Sequence, residues 1–322
     1  HNTGVCIGVL AVFSLAWIVS LVVRGARAAS GRSPFVMLNG MLSRTRIMTE
    51  SGLAAERARL SALSVDDVRK LEQLIAEGGT SLASLMRCAG EAVADEVRAW
   101  SGGPVRVCVL AGSGNNGGDG WVCAASLAKS GYPVTLVTPK AAEALTAEPA
   151  RTEALFAMER ATEGGFSLTI AVAPEADDVA RTLDEAEVVV DAILGTGFAG
   201  RALREPYATW ISLANLRRFN GPRGKGRGAH RARTGAPSKK ASGTTLHDRR
   251  KDAPFAVAID VPSGYSAQAA IWADPCFCAD VTVTILAMKP GLIASGAERF
   301  CGQVKLAELV DTAPYREKLK QS

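Results

Sequence analysis

The sequence predicts an α/β protein: a mostly parallel sheet covered by helices on both faces. Three observations carry that prediction. From residue 105 onward, short and nearly continuous apolar runs alternate with helical segments, the pattern of strands buried on both faces. Several of these runs end in glycine-containing turns that hold an aspartate or a lysine, and open parallel sheets place ligand sites at such strand ends. Apolar residues make up 48% of the 322 residues, enough to fill a substantial core.

The elements follow in order. Residues 4–23, GVCIGVLAVFSLAWIVSLVV, are twenty residues without a charge, a length that can span a bilayer. Arg24 and Arg27 follow, which favours a cytoplasmic position for the chain beyond, and Ala26–Ala28 has the small-residue pattern of a cleavage site. The first residue is histidine and Met37, Met41 and Met48 are later starts. Residues 1–62 are therefore read as an apolar segment and linker, either an anchor or targeting segment or a non-native extension. Residues 63–322 form the folded domain.

From Leu63 the pattern is helical. Ser64 is placed to cap, with Asp66 and Asp67 at the positive end of the helix dipole. Gly78–Thr80 breaks the pattern, and a second amphipathic helix runs through Leu82, Leu85, Met86, Ala89 and Val93. Val105–Ala111 predicts a strand, 112–121 a loop, and a helix extends to about Lys129. Further strands are expected at 133–139, 167–173, 186–192, 255–260, 279–286 and 302–309. The last three lack long intervening helices, which leaves the far edge open to mixed pairing.

Charge is unevenly placed. The net charge is +5, but residues 217–251 hold twelve Lys or Arg and one acid, Asp248, for a local +11. The remainder carries −6, a mildly acidic body that is not marked as a nucleic-acid binder. The basic segment has few apolar residues and no period, so it predicts a disordered insertion. Seven cysteines without a C-x-x-C pair exclude a disulfide framework and a zinc knuckle. Cys108 and Cys123 sit in apolar runs as small core residues of a reducing, cytoplasmic compartment. The three histidines are His1, His230 and His247, all outside the predicted core. A Ser-His-Asp triad, a Cys-His pair and a His-bound zinc are thus disfavoured, and acid–base work falls to Asp, Glu, Lys, Tyr or water.

Four motifs carry the chemistry. The first, GSGNNGGDGW at 112–121, contains G-x-G-x-x-G. A dinucleotide turn of the usual kind is followed by an acid at the end of the second strand, and that strand ends LVTPK without one. Asn115, Asn116 and Asp119 add oxygen donors suited to a hard cation or sugar hydroxyls, while Gly117 and Gly118 let backbone amides approach a phosphate. The second motif is VVVDAILGTGFAGR. Asp191 closes a strand, and the turn Gly195, Thr196, Gly197, Phe198, Ala199, Gly200 and Arg201 offers amides, a hydroxyl and a cation. The third, AVAIDVPSG, places Asp260 at a strand end before Ser263. In the fourth, Lys289 follows the strand VTIL and precedes Pro290-Gly291.

In this order and spacing, the four motifs resemble the NAD(P)H-hydrate epimerase family, the YjeF N-terminal domain; the LMRCAG helix fits it too. The resemblance covers about Leu63 to Leu309 apart from the insertion. It implies a Rossmann-like three-layer α/β/α sandwich, a homodimer, and an isomerase that interconverts the R and S forms of hydrated NADH and NADPH. A separate dehydratase then restores the reduced cofactor. It further implies dinucleotide contacts at Asn115–Asp119, Gly195–Arg201 and Asp260, and a potassium ion held by Asn116, Asp191 and Ser263. Asp260 is the expected proton carrier, with Lys289 its partner. Two departures stand out: YSAQAAIWADPC follows the third motif without the family's acidic character, and the basic insertion precedes Asp260. No dehydratase domain follows, which reads as the single-activity form or a shortened bifunctional protein. A non-catalytic scaffold that binds RNA or protein through its basic insertion is the alternative; an NAD-dependent dehydrogenase is disfavoured by the missing ribose acid.

Overall fold

In the computed structural model, which describes residues 61–200, 202–221 and 252–321, helix α1 (Val65–Glu77) begins where the sequence can cap it. Ser64 Oγ accepts from Asp67 N at 3.1 Å, and Val65, Val68, Leu71 and Ile75 form the buried face. Helix α2 (Leu82–Ser101) is capped by Ser81 and ends at Gly102, whose φ of 66° is the left-handed conformation a helix end favours.

The strands are β1 (Val107–Ala111), β2 (Val134–Thr138), β3 (Leu168–Val172), β4 (Val188–Ala192), β5 (Phe255–Ile259), β6 (Val281–Ile285) and β7 (Gln303–Ala307). They form one seven-stranded sheet in the order β3-β2-β1-β4-β5-β6-β7, every pair parallel. Helices α3 (Asn115–Lys129), α4 (Ala150–Glu163), α5 (Ala176–Glu185) and α6 (Tyr207–Asn220) cross between strands; α7 (Glu298–Cys301) and α8 (Ala313–Leu319) are short.

The period of two along the strands makes the layers. Val107, Val109, Val188, Val190 and Val257 face Val97, Trp121 and Leu127 on one side. Cys108, Leu110, Val189, Ala256 and Ala258 face Val179, Leu183, Trp210 and Ile211 on the other. The sheet is thus the middle of three layers, and its apolar runs are continuous because both faces are covered.

Three expectations are corrected. The far edge is not mixed: β7 runs parallel to β6, with Val281 opposite Gln303. The segments between β5 and β6 and between β6 and β7 cross over through irregular chain, a 3₁₀ turn at Pro290–Ile293 and α7, so a parallel return needs no long helix. The stretch 112–121 is not mainly a loop, because α3 starts at Asn115. Glycine is a poor helix former, but here packing overrides propensity. A Cβ on Gly117 would overlap the carbonyl of Gly112, and one on Gly120 would lie 2.5 Å from Ala192 Cβ. The glycines let α3 settle onto the sheet.

The third correction concerns the basic segment, which does not begin at 217. Helix α6 extends to Asn220, and Arg217 and Arg218 are buried. Arg218 pairs with Asp280 and donates to the Cys278 carbonyl, and Arg217 Nε lies 3.7 Å from Asp184. These acids draw two cations inward that sequence alone assigns to a solvated arm. Residues 222–251, the apolar run 4–23 and Arg201 lie outside the described residues. Among the described residues no helix is long and apolar enough to cross a membrane.

Candidate functional site at the carboxyl ends of the central strands

Strand order reverses between β1 and β4, since β1 leads outward to β2 and β3 while β4 starts the other half. At such a switch point the loops beyond the strands diverge and leave a crevice. Gly112 N donates to Ala192 O at 2.9 Å and locks the two strand ends together. A Cβ on Gly112 would overlap Ile193 O, so only glycine permits this approach.

Asp191, the fourth residue of β4, is fully buried. Its Oδ1 accepts from Ser263 Oγ at 2.6 Å and Ile193 N at 3.2 Å, and its Oδ2 from Ser263 N at 2.7 Å. Ser263 Oγ in turn accepts from Leu194 N at 2.8 Å. The carboxyl thus ties the Pro262-Ser263-Gly264 turn to the turn after β4 from beneath. Burial pushes Asp191 up from 3.8 to about 6, against the lowering effect of the bonds from Ser263 and Ile193.

This shift has a checkable consequence. The folded protein holds the Asp191 proton more tightly than the unfolded chain, so this group's contribution to stability falls as pH rises between 3.8 and about 6. Asp191→Asn should remove that slope, as read by urea unfolding in potassium-free buffer across the same pH range.

Asp260 follows β5 with φ 63°, and Leu286 follows β6 with φ 61°. Left-handed backbone in a non-glycine residue costs about 1 kcal/mol or more and persists where surrounding structure enforces it. The enforcing contacts are present. Lys289, fully buried, donates from Nζ to Asp260 Oδ1 at 2.5 Å, Thr284 Oγ1 at 2.9 Å and Ile285 O at 2.8 Å. Asp260 also accepts from Ile285 N at 3.3 Å and Thr284 Oγ1 at 3.4 Å. All three ammonium hydrogens are used, so a buried cation is held beside a carboxylate that keeps an edge to solvent.

The helix α3 side completes the crevice. Asn115 is exposed at the first helical position; Gly117 and Gly118 are buried against Gly112 and Ala150. Asn116 is half-buried, its amide beside Gly195, where a Cβ would lie 3.1 Å from Asn116 Oδ1. Its Nδ2 is buried without a hydrogen-bond partner. Asp119 is 9% exposed; burial and the charges of Asp260 and Glu72 hold its carboxyl well above the usual range. Gly195, Thr196, Phe198 and Gly200 are half-buried and Gly197 and Ala199 exposed along the rim. Among the described residues, no hydrogen bond joins Asn116 to Asp191 or Ser263.

Two members of the site were invisible to motif reading. Thr284 links Asp260 to Lys289, but it reads as an ordinary β-branched strand residue. Glu72 of α1 is raised by burial and by Asp260, with Lys289 and Arg69 opposing. It lies in a polar helix pattern, and nothing in that pattern marks it.

The profile described as YjeF-related protein N-terminus matches residues 82–291, a span that contains every predicted site residue. The chain belongs to this family. This YjeF-type domain is 30% identical over 266 residues to the NAD(P)H-hydrate epimerase of Clavibacter sepedonicus, covering 81% of the chain and 93% of that protein. It is 31% identical over 249 residues to the bifunctional NAD(P)H-hydrate repair enzyme of Archaeoglobus fulgidus, covering 77% of the chain and 41% of that enzyme. The corresponding enzyme of Escherichia coli is 30% identical over 247 residues, 76% of the chain and 38% of the enzyme. The YjeF-type chain therefore spans less than half the length of these bifunctional relatives. The crystal structure of the yeast protein ynu0 shares the fold, with a TM-score of 0.53 at 22% identity over 72% of the chain and 83% of that structure.

Proposed function

We propose that this YjeF-type domain is an NAD(P)H-hydrate epimerase, which inverts the hydroxyl-bearing carbon beside the ring nitrogen of hydrated NADH and NADPH. The observation that carries this reading is the Asp260–Lys289–Thr284 set at the carboxyl ends of β5 and β6, with Asp260 on left-handed backbone. It is supported by similarity along nearly the whole length of a relative named for that activity. Inversion needs loss of water and its return to the other face, or transient ring opening, and either needs a proton carrier near the hydroxyl. Asp260 is that carrier. Lys289 holds it in place through the 2.5 Å bond from Nζ. Amides and the hydroxyl of the 195–200 turn, with the first turn of α3, bind the dinucleotide's phosphates and ribose.

A potassium ion fits the donors under the crevice. Asp191, Ser263 Oγ and the Leu194 carbonyl, 3.3 Å from Ser263 Oγ, are oxygens clustered together, the ligation a hard cation prefers. The unpartnered Asn116 amide can turn to present oxygen instead of nitrogen. Asn116, Asp191 and Ser263 would hold the ion, which would supply positive charge beside a crevice rich in carboxylates. This set has one acid; among the described residues no group of three or more His, Cys, Asp or Glu is arranged to hold a metal.

The deciding experiment supplies purified protein with the R-form hydrate and an S-specific dehydratase, with potassium or with sodium. Steady formation of NADH, faster in potassium, is expected; no conversion above the spontaneous rate sinks the reading. The same protein is expected to sediment as a homodimer, to couple functionally to that dehydratase, and to work in the cytoplasm, where its buried Cys108 and Cys123 stay free.

A further inference from the structure

Asp119 is a buried carboxyl group of the crevice with little to compensate it. It is 9% exposed, and among the described residues nothing hydrogen-bonds its carboxyl. It is the fifth residue of α3, beyond the unpaired amides of the first turn, so the helix terminus offers it no donors. Its charged neighbours are Asp260 from the end of β5 and Glu72 from α1, both acidic. The cations nearby are committed elsewhere: Lys289 has its donors on Asp260, Thr284 and Ile285 O, and Arg69 bonds Asp66. One turn back on the same helix, Asn116 Nδ2 is fully buried and unpartnered. Two unpartnered polar groups at one helix end, both bordering the crevice, mark a place where a ligand supplies the missing partners.

Three carboxyl groups beside one ammonium cannot all be ionised without cost where each is partly withdrawn from water. Asp260 has the ammonium and Glu72 is half-buried near Arg69. Asp119 has neither. We infer that Asp119 is a neutral carboxylic acid in the folded protein and donates its proton to a hydroxyl oxygen of the bound ligand. This deepens the epimerase reading and rests on it for the identity of that ligand.

The step balances. The Asp119 proton passes to the departing hydroxyl, the C–O bond breaks with its electron pair on oxygen, and water leaves. The ring nitrogen's lone pair forms the C=N bond, so the ring becomes cationic and Asp119 a carboxylate. Water then adds to the opposite face, the C=N pair returns to nitrogen, and the surplus proton goes to the Asp260 carboxylate. Before the next turnover the proton passes from Asp260 back to Asp119 through solvent, and the reverse reaction runs the same steps with the two roles exchanged. Asp119 and Asp260 thus act as donor and acceptor for opposite faces.

The test separates this role from the enzyme assignment. Unfolding near neutral pH should release the Asp119 proton, so Asp119→Asn should lower the protons released on urea unfolding by about one per chain, measured in paired buffers of different ionisation heat. The same variant should lower kcat/KM for the R hydrate by about 10²-fold or more and abolish the fall in wild-type rate at high pH. Equal proton release from both proteins overturns the inference, whether or not the wild type epimerises. If wild type shows no epimerisation but the proton difference holds, the ligand assignment fails and the neutral acid stands. Should Asp119→Asn not fold, the carboxyl carbon of Asp119 in ¹³C-labelled wild type is titrated by NMR; an ionised signal near neutral pH overturns the inference equally.

Discussion

Asp260→Asn should lower the epimerisation rate by about 10²- to 10⁴-fold while leaving dinucleotide binding largely intact. Asparagine tolerates left-handed backbone nearly as well as aspartate, so the φ of 63° is retained. Its amide oxygen can still accept from Lys289, and the ammonium keeps Thr284 Oγ1 and Ile285 O. What is lost is the ability to take and return a proton. Turnover measured with the coupled dehydratase, beside calorimetric binding of NADH, separates the two effects. Normal turnover by the variant would remove Asp260 from the proposed role. Asp260→Ala is a poorer test: it leaves a buried cation uncompensated, at a cost of about 3–5 kcal/mol, and loss of fold would mask loss of chemistry.

Gly117→Ala should destabilise the protein by about 3 kcal/mol or more, while Gly114→Ala, three residues earlier in the same motif, should stay within about 1 kcal/mol. The new Cβ at 117 would overlap the backbone carbonyl of Gly112, which is itself fixed to Ala192 and pressed against Ile193. Backbone cannot swing aside as a side chain does, so α3 must lift from the sheet. That movement carries Asn116 and Asp119 away from Gly195 and Asp260, and activity should fall with stability. At Gly114 nothing lies within 4 Å of the added atom. Urea midpoints of the two variants check the contrast; equal effects would mean that α3 does not depend on this close approach.

Much of this was legible in the chain. Apolar runs at 107–111, 188–192 and 255–259 could be recognised as strands because both their faces are buried and every residue is selected for it. Asp191 and Asp260 could be singled out because a charge closing such a run has to be there for a reason. The NNGGD stretch was visible as chemistry but misleading as structure. Its glycines suggest a loop, whereas they are helical residues whose missing side chains admit a neighbouring backbone. Arg217 and Arg218 misled in the same way, since a run of cations reads as solvated until Asp184 and Asp280 are seen beneath them.

Composition and spacing along one strand or turn identify which residue types stand at strand ends, because those signals are local and periodic. Which of them share a proton, hold one another's charge or lie a single contact apart depends on strand order. Residues 260 and 289 meet, and 119 feels the charge of 260, only because β1, β4, β5 and β6 lie side by side, and Glu72 and Thr284 join them from segments with no local mark. Electrostatic coupling falls with distance in space and ignores distance along the chain, so the site's chemistry emerges only once the sheet has formed.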